Sequence, residues 1–352
     1  MSECVKTAVV GLGYWGPNLV RAMHDVNDVE VAWICDLDID SLQKIGRRYP
    51  AVRCTTELDE VLVADDVDAI AIATPVSTHF PLAKRALEAG KHVFVEKPLA
   101  GSTAEAVALA ELAASRQLVL MPGHTFVYSP PVRAIRALIE SGDLGDIYFI
   151  SSSRVNLGLH QPDVSVVWDL GPHDFSILRY WLQETPTYVS GTSRSCIIPE
   201  TPDVAFINLE FASETVAQVE LSWLAPSKLR RTTIVGSLKM VVYDDTSAEP
   251  VRVFDSGVML PDPATFGEYK LSYRTGDIVS PQVSAAEPLG LEMSDFCRAI
   301  LTRSMPESSV QLGIEVVKMI EAVDASLAQH GSRIAVDAAY RMPDGRAPAL
   351  SA

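Results

Sequence analysis

Cysteine is scarce in this chain. The five present, Cys4, Cys35, Cys54, Cys196 and Cys297, are odd in number and show no paired short spacing. That argues against a disulfide framework or a zinc site and leaves them as small buried apolar residues. Long apolar runs are missing too, since none reaches the roughly 18 to 20 residues of a membrane-spanning helix. No charged start, apolar stretch and small-residue cleavage site opens the chain, because Ser2, Glu3 and Lys6 lead directly into a strand pattern. A soluble, cytoplasmic protein is expected. Blocks of lysine and arginine are also absent, and the net charge is −16. A nucleic-acid backbone is therefore a poor partner, and any anionic substrate must be held by a local basic pocket against the global field. No repeat or low-complexity segment is present.

What is there is enough apolar material for two domains: 352 residues, 48% of them hydrophobic. The first third alternates two periods. Lys6 to Val10 is a short β-rich run ending in Gly11-Leu-Gly-Tyr-Trp-Gly16, and Pro17 then opens a helix where its missing N–H costs nothing. Val29 to Cys35 is a second strand, closing on Asp36. Ala69 to Ala73 is a third, ending in Thr74-Pro75, and Ser77 to Gly90 is a helix stopped by Gly90. His92 to Val95 delivers Glu96-Lys97-Pro98; the helix Ser102 to Arg116 and the strand Leu118 to Met121 follow. Apolar strands separated by helices imply a parallel sheet covered on both faces, a Rossmann dinucleotide-binding domain over 1–122.

The glycines have separate tasks in that reading. Gly11 permits the tight turn, Gly13 lets a pyrophosphate approach the backbone, and Gly16 lets helix pack on strand, with the helix N-terminus facing the anion. Asp36 lies 20 residues beyond Gly16, where a carboxylate accepts hydrogen bonds from the adenosine ribose diol and repels a 2′-phosphate. The next basic residue after it is Lys44, so NAD is expected over NADP. Thr74 and Pro75 are expected to line the dinucleotide, with Tyr14, Trp15, His79, Glu96, Lys97 and Trp168 as further cofactor-side candidates. For Trp15 a hydrophobic staple of the first helix, and for Trp168 a core position, are equal alternatives.

After Met121 the texture changes. Val132 to Ser141 reads as a helix, and then come alternating runs: Ile147 to Val155, Tyr188 to Arg194, Val204 to Phe211, Thr215 to Trp223, Arg231 to Val235 and Lys239 to Tyr243. Such alternation predicts a large, mostly antiparallel sheet with one open face, an α+β domain over 123–352 that binds substrate and invites burial by another subunit. Helices Glu287 to Thr302 and Val310 to Gln329 follow, and the tail after Arg341 reads as a loosely held end.

Trp168-Asp169-Leu-Gly-Pro-His173-Asp174 sets a carboxylate and an imidazole four positions apart, one helical turn. Asp169 can alternatively cap a helix starting near Pro172. No third ligand at suitable spacing accompanies the pair, so no metal is expected. His124, Tyr128 and His160 are candidates to line a substrate pocket, and Arg154, Asn156, Lys228 and Arg231 to hold a polar or phosphorylated substrate.

Gly11-Leu-Gly-Tyr-Trp-Gly-Pro17, Ala73-Thr-Pro75, Glu96-Lys-Pro98 and Asp169-Leu-Gly-Pro-His173 together resemble the glucose-fructose oxidoreductase / inositol dehydrogenase / rhizopine catabolism (Gfo/Idh/MocA) family over nearly the whole chain. Asn156-Leu-Gly158 and Trp223-Leu-Ala-Pro-Ser-Lys228 are most similar to its bacterial nucleotide-sugar 3-dehydrogenases. The resemblance implies NAD-dependent oxidation of a sugar's secondary hydroxyl, with Lys97, Asp169 and His173 as catalytic and substrate-contacting residues. An inositol or free-sugar dehydrogenase, a redox-assisted glycoside hydrolase and a non-catalytic sugar sensor are the alternatives. The family also implies a homodimer or homotetramer through the sheet.

Overall fold

The computed structural model describes residues 4–158, 160, 164–259 and 272–336; the tail beyond Arg341 lies outside them. Its contacts divide the described residues into two compact units, 4–128 with 286–321, and those within 129–285 with 322–336.

The first unit runs β1 Val5–Val10, α1 Gly16–His24, β2 Val29–Cys35, α2 Ile39–Arg48, β3 Arg53–Thr55, α3 Leu58–Val63, β4 Ala69–Ile72, α4 Val76–Glu88, β5 His92–Glu96, α5 Thr103–Arg116 and β6 Leu120–Gly123. Its six strands are ordered β3-β2-β1-β4-β5-β6 and all pair in parallel. Every residue of β4 is buried, as a strand covered on both faces must be. Strand order reverses between β1 and β4, and open α/β sheets bind ligands outside the carboxyl ends at such a point. Local chemistry sets the helix starts. Ser102 accepts the Glu105 backbone N–H at 3.2 Å, and the Glu105 carboxylate reaches back to the Gly101 N–H at 3.1 Å.

The second unit contains α6 Pro130–Glu140, β7 Ile147–Leu157, α7 Val166–Leu182, β8 Tyr188–Arg194, β9 Val204–Glu210, β10 Val216–Ser222, β11 Leu224–Gly236, β12 Met240–Asp244, β13 Val251–Met259 and β14 Ser272–Val279. Helix α8, Pro288–Thr302, belongs to the first unit. Helix α9, Val310–Ala328, begins there and ends in the second, which β15 Ile334–Ala335 completes. The nine strands are ordered β14-β13-β12-β11-β7-β10-β9-β8-β15. All neighbours are antiparallel except β7 and β10. Alternation works as expected: in β9 and β10, Ala205, Ile207, Leu209, Ala217, Val219 and Leu221 point into the core. The other face stays open, and Phe206 is 43% and Val216 50% exposed.

Two expectations need correction. Helix α7 starts at Val166, not near Pro172, and the Asp169 backbone N–H already bonds the Ser165 carbonyl. Asp169 is thus inside the first turns and caps nothing, and Pro172 is accommodated within the helix. Cys35 and Cys297 are buried, but Cys4, Cys54 and Cys196 are exposed; all five are free thiols.

Candidate active site

The glycine turn between β1 and α1 is built by exclusion. Gly11 has φ +92°, and a Cβ there would sit 2.6 Å from the Ala73 carbonyl oxygen. A Cβ on Gly16 would lie 1.9 Å from the Gly11 carbonyl oxygen, so only glycine closes this turn. At Gly13 the same construction meets nothing within 4 Å, which leaves open space over the backbone where a pyrophosphate must approach. Asp36, at the end of β2, accepts the backbone N–H groups of Leu12 and, at 2.8 Å, Asp38. The acid is thereby fastened to the glycine turn. Tyr14 and Trp15 stack at 6.4 Å beside it, Tyr14 largely in solvent.

Lys97 follows β5, half-buried, with the cis Lys97–Pro98 peptide after it. Its surroundings are unusual for a charged residue. His79, a cofactor-side candidate, is buried and places Nδ1 2.8 Å from the Pro98 carbonyl and Nε2 2.9 Å from the Thr74 carbonyl. It acts as a strut joining the Thr74-Pro75 turn to the Lys97-Pro98 turn. Burial, opposed by these two carbonyls, holds its imidazole below the ordinary value. His124 is also buried, neither ring nitrogen has a hydrogen-bond partner among the described residues, and burial followed by the charge of Lys97 pushes it down to about 3. Glu96 is buried, accepts the Lys97 backbone N–H at 3.3 Å, and is pushed up to about 7 by burial, opposed by the charge of Lys97. Tyr128 is engaged inward, donating to Asp295 at 2.7 Å and accepting the Ser308 N–H at 2.9 Å.

In the second unit Asp169 and His173 lie one turn apart on α7, both half-buried. Asp169 accepts the Trp223 indole N–H at 3.1 Å. Trp223 carries the His160 ring at 5.3 Å, and a Cβ on Gly158 would crowd both the Trp223 ring, at 2.9 Å, and the Asn156 amide, at 3.3 Å. Two candidates therefore meet at Trp223, Asp169 through the indole N–H and His160 through its ring, while His173 lies one turn along α7 from Asp169. Trp168 is turned elsewhere, its indole donating to Asp324 at 2.7 Å. Arg154 is buried in an ion pair with Asp174, whose other oxygen accepts the Ser152 hydroxyl at 2.7 Å. Lys228 and Arg231 are exposed on β11.

Residues 5–124 match the family model described as oxidoreductase family, NAD-binding Rossmann fold, and residues 132–242 match the GFO/IDH/MocA C-terminal domain. The chain belongs to the Gfo/Idh/MocA family. It is 27% identical over 232 residues to an uncharacterized oxidoreductase of Streptococcus pneumoniae, covering 61% of this chain and 62% of that one. It is 26% identical over 230 residues to the UDP-N-acetylglucosamine 3-dehydrogenase of Acidithiobacillus ferrooxidans, covering 65% and 71%. Among solved structures, GenD2 from gentamicin A biosynthesis in complex with NAD superposes with TM-score 0.81 at 25% identity over 96% of this chain and 98% of its own. The chain thus spans under two thirds of the length of the first of these relatives.

The open space at Gly13, the crowded Gly11 and Gly16, and an Asp36 carboxylate fastened to the turn all fit the NAD of this Gfo/Idh/MocA domain. Glu292, Thr125 and Trp223 are site neighbours that sequence reasoning did not select. Glu292 did leave a signal: it falls on the stripe Leu289, Met293 and Phe296 of an amphipathic helix, where a carboxylate is out of place. No group of three or more histidine, cysteine or acidic residues among the described residues is arranged to hold a metal.

Proposed function

We propose that this protein is an NAD-dependent dehydrogenase that oxidises a secondary hydroxyl of a sugar or nucleotide sugar, a UDP-N-acetylhexosamine or its uronic acid in the first instance, at C3. The observation that carries the reading is Lys97, half-buried at the carboxyl end of β5, beside the strand-order reversal of an NAD-binding sheet. Asp36, Gly11, Gly13 and Gly16 would hold the dinucleotide, which when bound accepts a hydride at the nicotinamide ring. The Lys97 ammonium donates a hydrogen bond to the reacting hydroxyl oxygen and stabilises the charge that develops there. His173 takes the hydroxyl proton, a task suited to an imidazole. Asp169, one turn away and fixed by Trp223, binds a neighbouring hydroxyl or orients the ring. The carbon–hydrogen electron pair leaves as hydride, the oxygen proton goes to His173, and a ketone remains.

The nucleotide-sugar assignment is supported by the A. ferrooxidans relative. The apolar residues on the open face of the nine-stranded sheet support a homodimer or homotetramer closed through it, and a monomer by sedimentation at micromolar concentration would contradict that. The five free thiols support a cytoplasmic location; no described helix is long and apolar enough to cross a membrane.

The test is NADH formation and thermal shift across UDP-sugars, free hexoses and inositols. A shift with UDP alone and turnover of one UDP-sugar is the expected result. Release of free sugar without NADH would overturn the dehydrogenase reading in favour of a redox-assisted hydrolase.

A further inference from the structure

The segment between β8 and β9 is knotted by one side chain. Asp203 is fully buried, and its Oδ2 accepts the backbone N–H groups of Cys196 at 2.9 Å and Ile197 at 2.8 Å. The same segment is tied to both elements that hold the acid on α7. The Val166 N–H, at the start of α7, bonds the Pro202 carbonyl at 2.9 Å, and the Trp223 backbone N–H bonds the Asp203 carbonyl at 2.9 Å. Asp169 lies one turn along α7 from Val166 and accepts the Trp223 indole N–H at 3.1 Å.

The knot does not account for the charge. Burial raises the Asp203 carboxyl, but the Ile197 and Cys196 N–H groups outweigh it and hold the group below its ordinary value. An asparagine would accept the same two N–H groups without burying a charge, which is costly unless something answers it. Oδ1 is buried with no hydrogen-bond partner among the described residues. The side chain that answers the charge is His160, whose Nε2 lies 3.8 Å from Oδ2. That nitrogen too has no hydrogen-bond partner among the described residues, and the ring rests against the Trp223 indole at 5.3 Å. Asp203 thus reaches Trp223 twice, through its own carbonyl and through His160.

We propose that Asp203 is a positioning residue of the α7 centre: its charge holds His160 on the Trp223 indole and so sets the direction from which that indole donates to Asp169. This rests on the reading of Asp169 as a substrate-contacting residue. Asp203 touches no substrate in this scheme. A wrong aim at Asp169 misplaces the hydroxyl it holds, and small misplacements are costly in rate.

The variant that separates charge from knot is D203N, because its amide oxygen still accepts from Cys196 and Ile197. In full-length protein carrying ¹⁵N in its five tryptophan indoles, the Trp223 signal is the one missing in W223F. D203N and H160A should each move that signal, and each should lower kcat for NADH formation from UDP-N-acetylglucosamine by about 10- to 100-fold. The double variant should lose no more than H160A alone, because residues acting through one contact are not additive. D203N matching the wild type in either readout limits Asp203 to the loop knot and overturns this role. Additive losses overturn the route through His160. His160 keeps 20% side-chain exposure, so H160A keeps the test open should D203N not fold: an unmoved Trp223 signal in H160A overturns the role by itself. No turnover by the wild type, or full turnover by D169A, would instead defeat the reading of the site, while the indole signal still decides whether Asp203 and His160 set Trp223.

Discussion

Two buried acids adjoin the two residues proposed to do the chemistry, and they are handled in opposite ways. Asp174, next to His173, is answered on both oxygens, by Arg154 and by Ser152. Glu96, next to Lys97, keeps one oxygen without a hydrogen-bond partner among the described residues, and burial pushes it up to about 7. The first arrangement is a brace, anchoring α7 to β7 from the residue beside the imidazole. The second leaves a carboxyl that keeps its proton up to about neutral pH. Burial alone does not decide whether an acid is structural or responsive; the partners brought to it by other elements do.

The largest expected effect tests what each acid adjoins. Lys97→Ala and His173→Ala should each lower kcat by about 10²- to 10⁴-fold, the range for a general acid–base group, with cofactor binding by fluorescence intact. Retained turnover in both would show that neither acid neighbours the chemistry. Next is the brace. Arg154→Ala should destabilise the fold by about 3–5 kcal/mol in urea unfolding, because it strands a buried carboxylate. The double change Arg154→Met with Asp174→Leu should lose less than Arg154→Ala alone. If the single change is neutral, the two acids are not treated differently after all.

The titrating acid makes the third prediction, in pH. Glu96, raised from 4.5 to about 7, retains its proton in the folded chain where the unfolded chain has lost it. Its stabilisation is complete below about 4.5 and is lost as pH rises through about 7, worth about 3 kcal/mol over that span. His124, lowered from 6.5 to about 3, acts oppositely: its contribution is complete above 6.5 and is lost as pH falls through 3. The two slopes oppose one another between 4.5 and 6.5. Glu96→Gln should remove the falling limb toward neutral pH and leave the rise that His124 produces, measured by chemical unfolding at stepped pH. An unchanged profile would place Glu96 with the braces.

The smallest effect lies away from both acids. Asp36→Ser should weaken the preference for NAD over NADP by about tenfold, roughly 1.4 kcal/mol, read from the ratio of the two kcat/KM values. No change would mean that the carboxylate serves the Leu12 and Asp38 backbone alone.

The legible and illegible parts of the chain differ by the range of the interaction involved. Val29–Cys35 and Tyr188–Arg194 were readable to the residue because burial imposes its period on neighbours in sequence. Strands β3 and β14 at a sheet edge, and β13 next to one, were not, because strands there have little burial to impose a pattern. Pro172 suggested a helix start and sits inside α7, since a chain pinned by Val166, Val167 and Phe175 against a sheet tolerates one missing N–H. His79, Tyr128 and Arg154 were singled out as polar residues near chemistry, and their polar ends are engaged in the interior with Pro98, Asp295 and Asp174.

By itself the sequence determined the glycine turn, its acid, the lysine after β5 and the Asp169–His173 spacing, all properties of residues within a turn or a strand of one another. Tertiary structure alone decided that Asp36 is fastened to Leu12, that Trp223 holds Asp169, and that Thr125 meets Glu292. Those meetings depend on which strands and helices pack together, and a carboxyl's proton is set by the groups that packing brings to it.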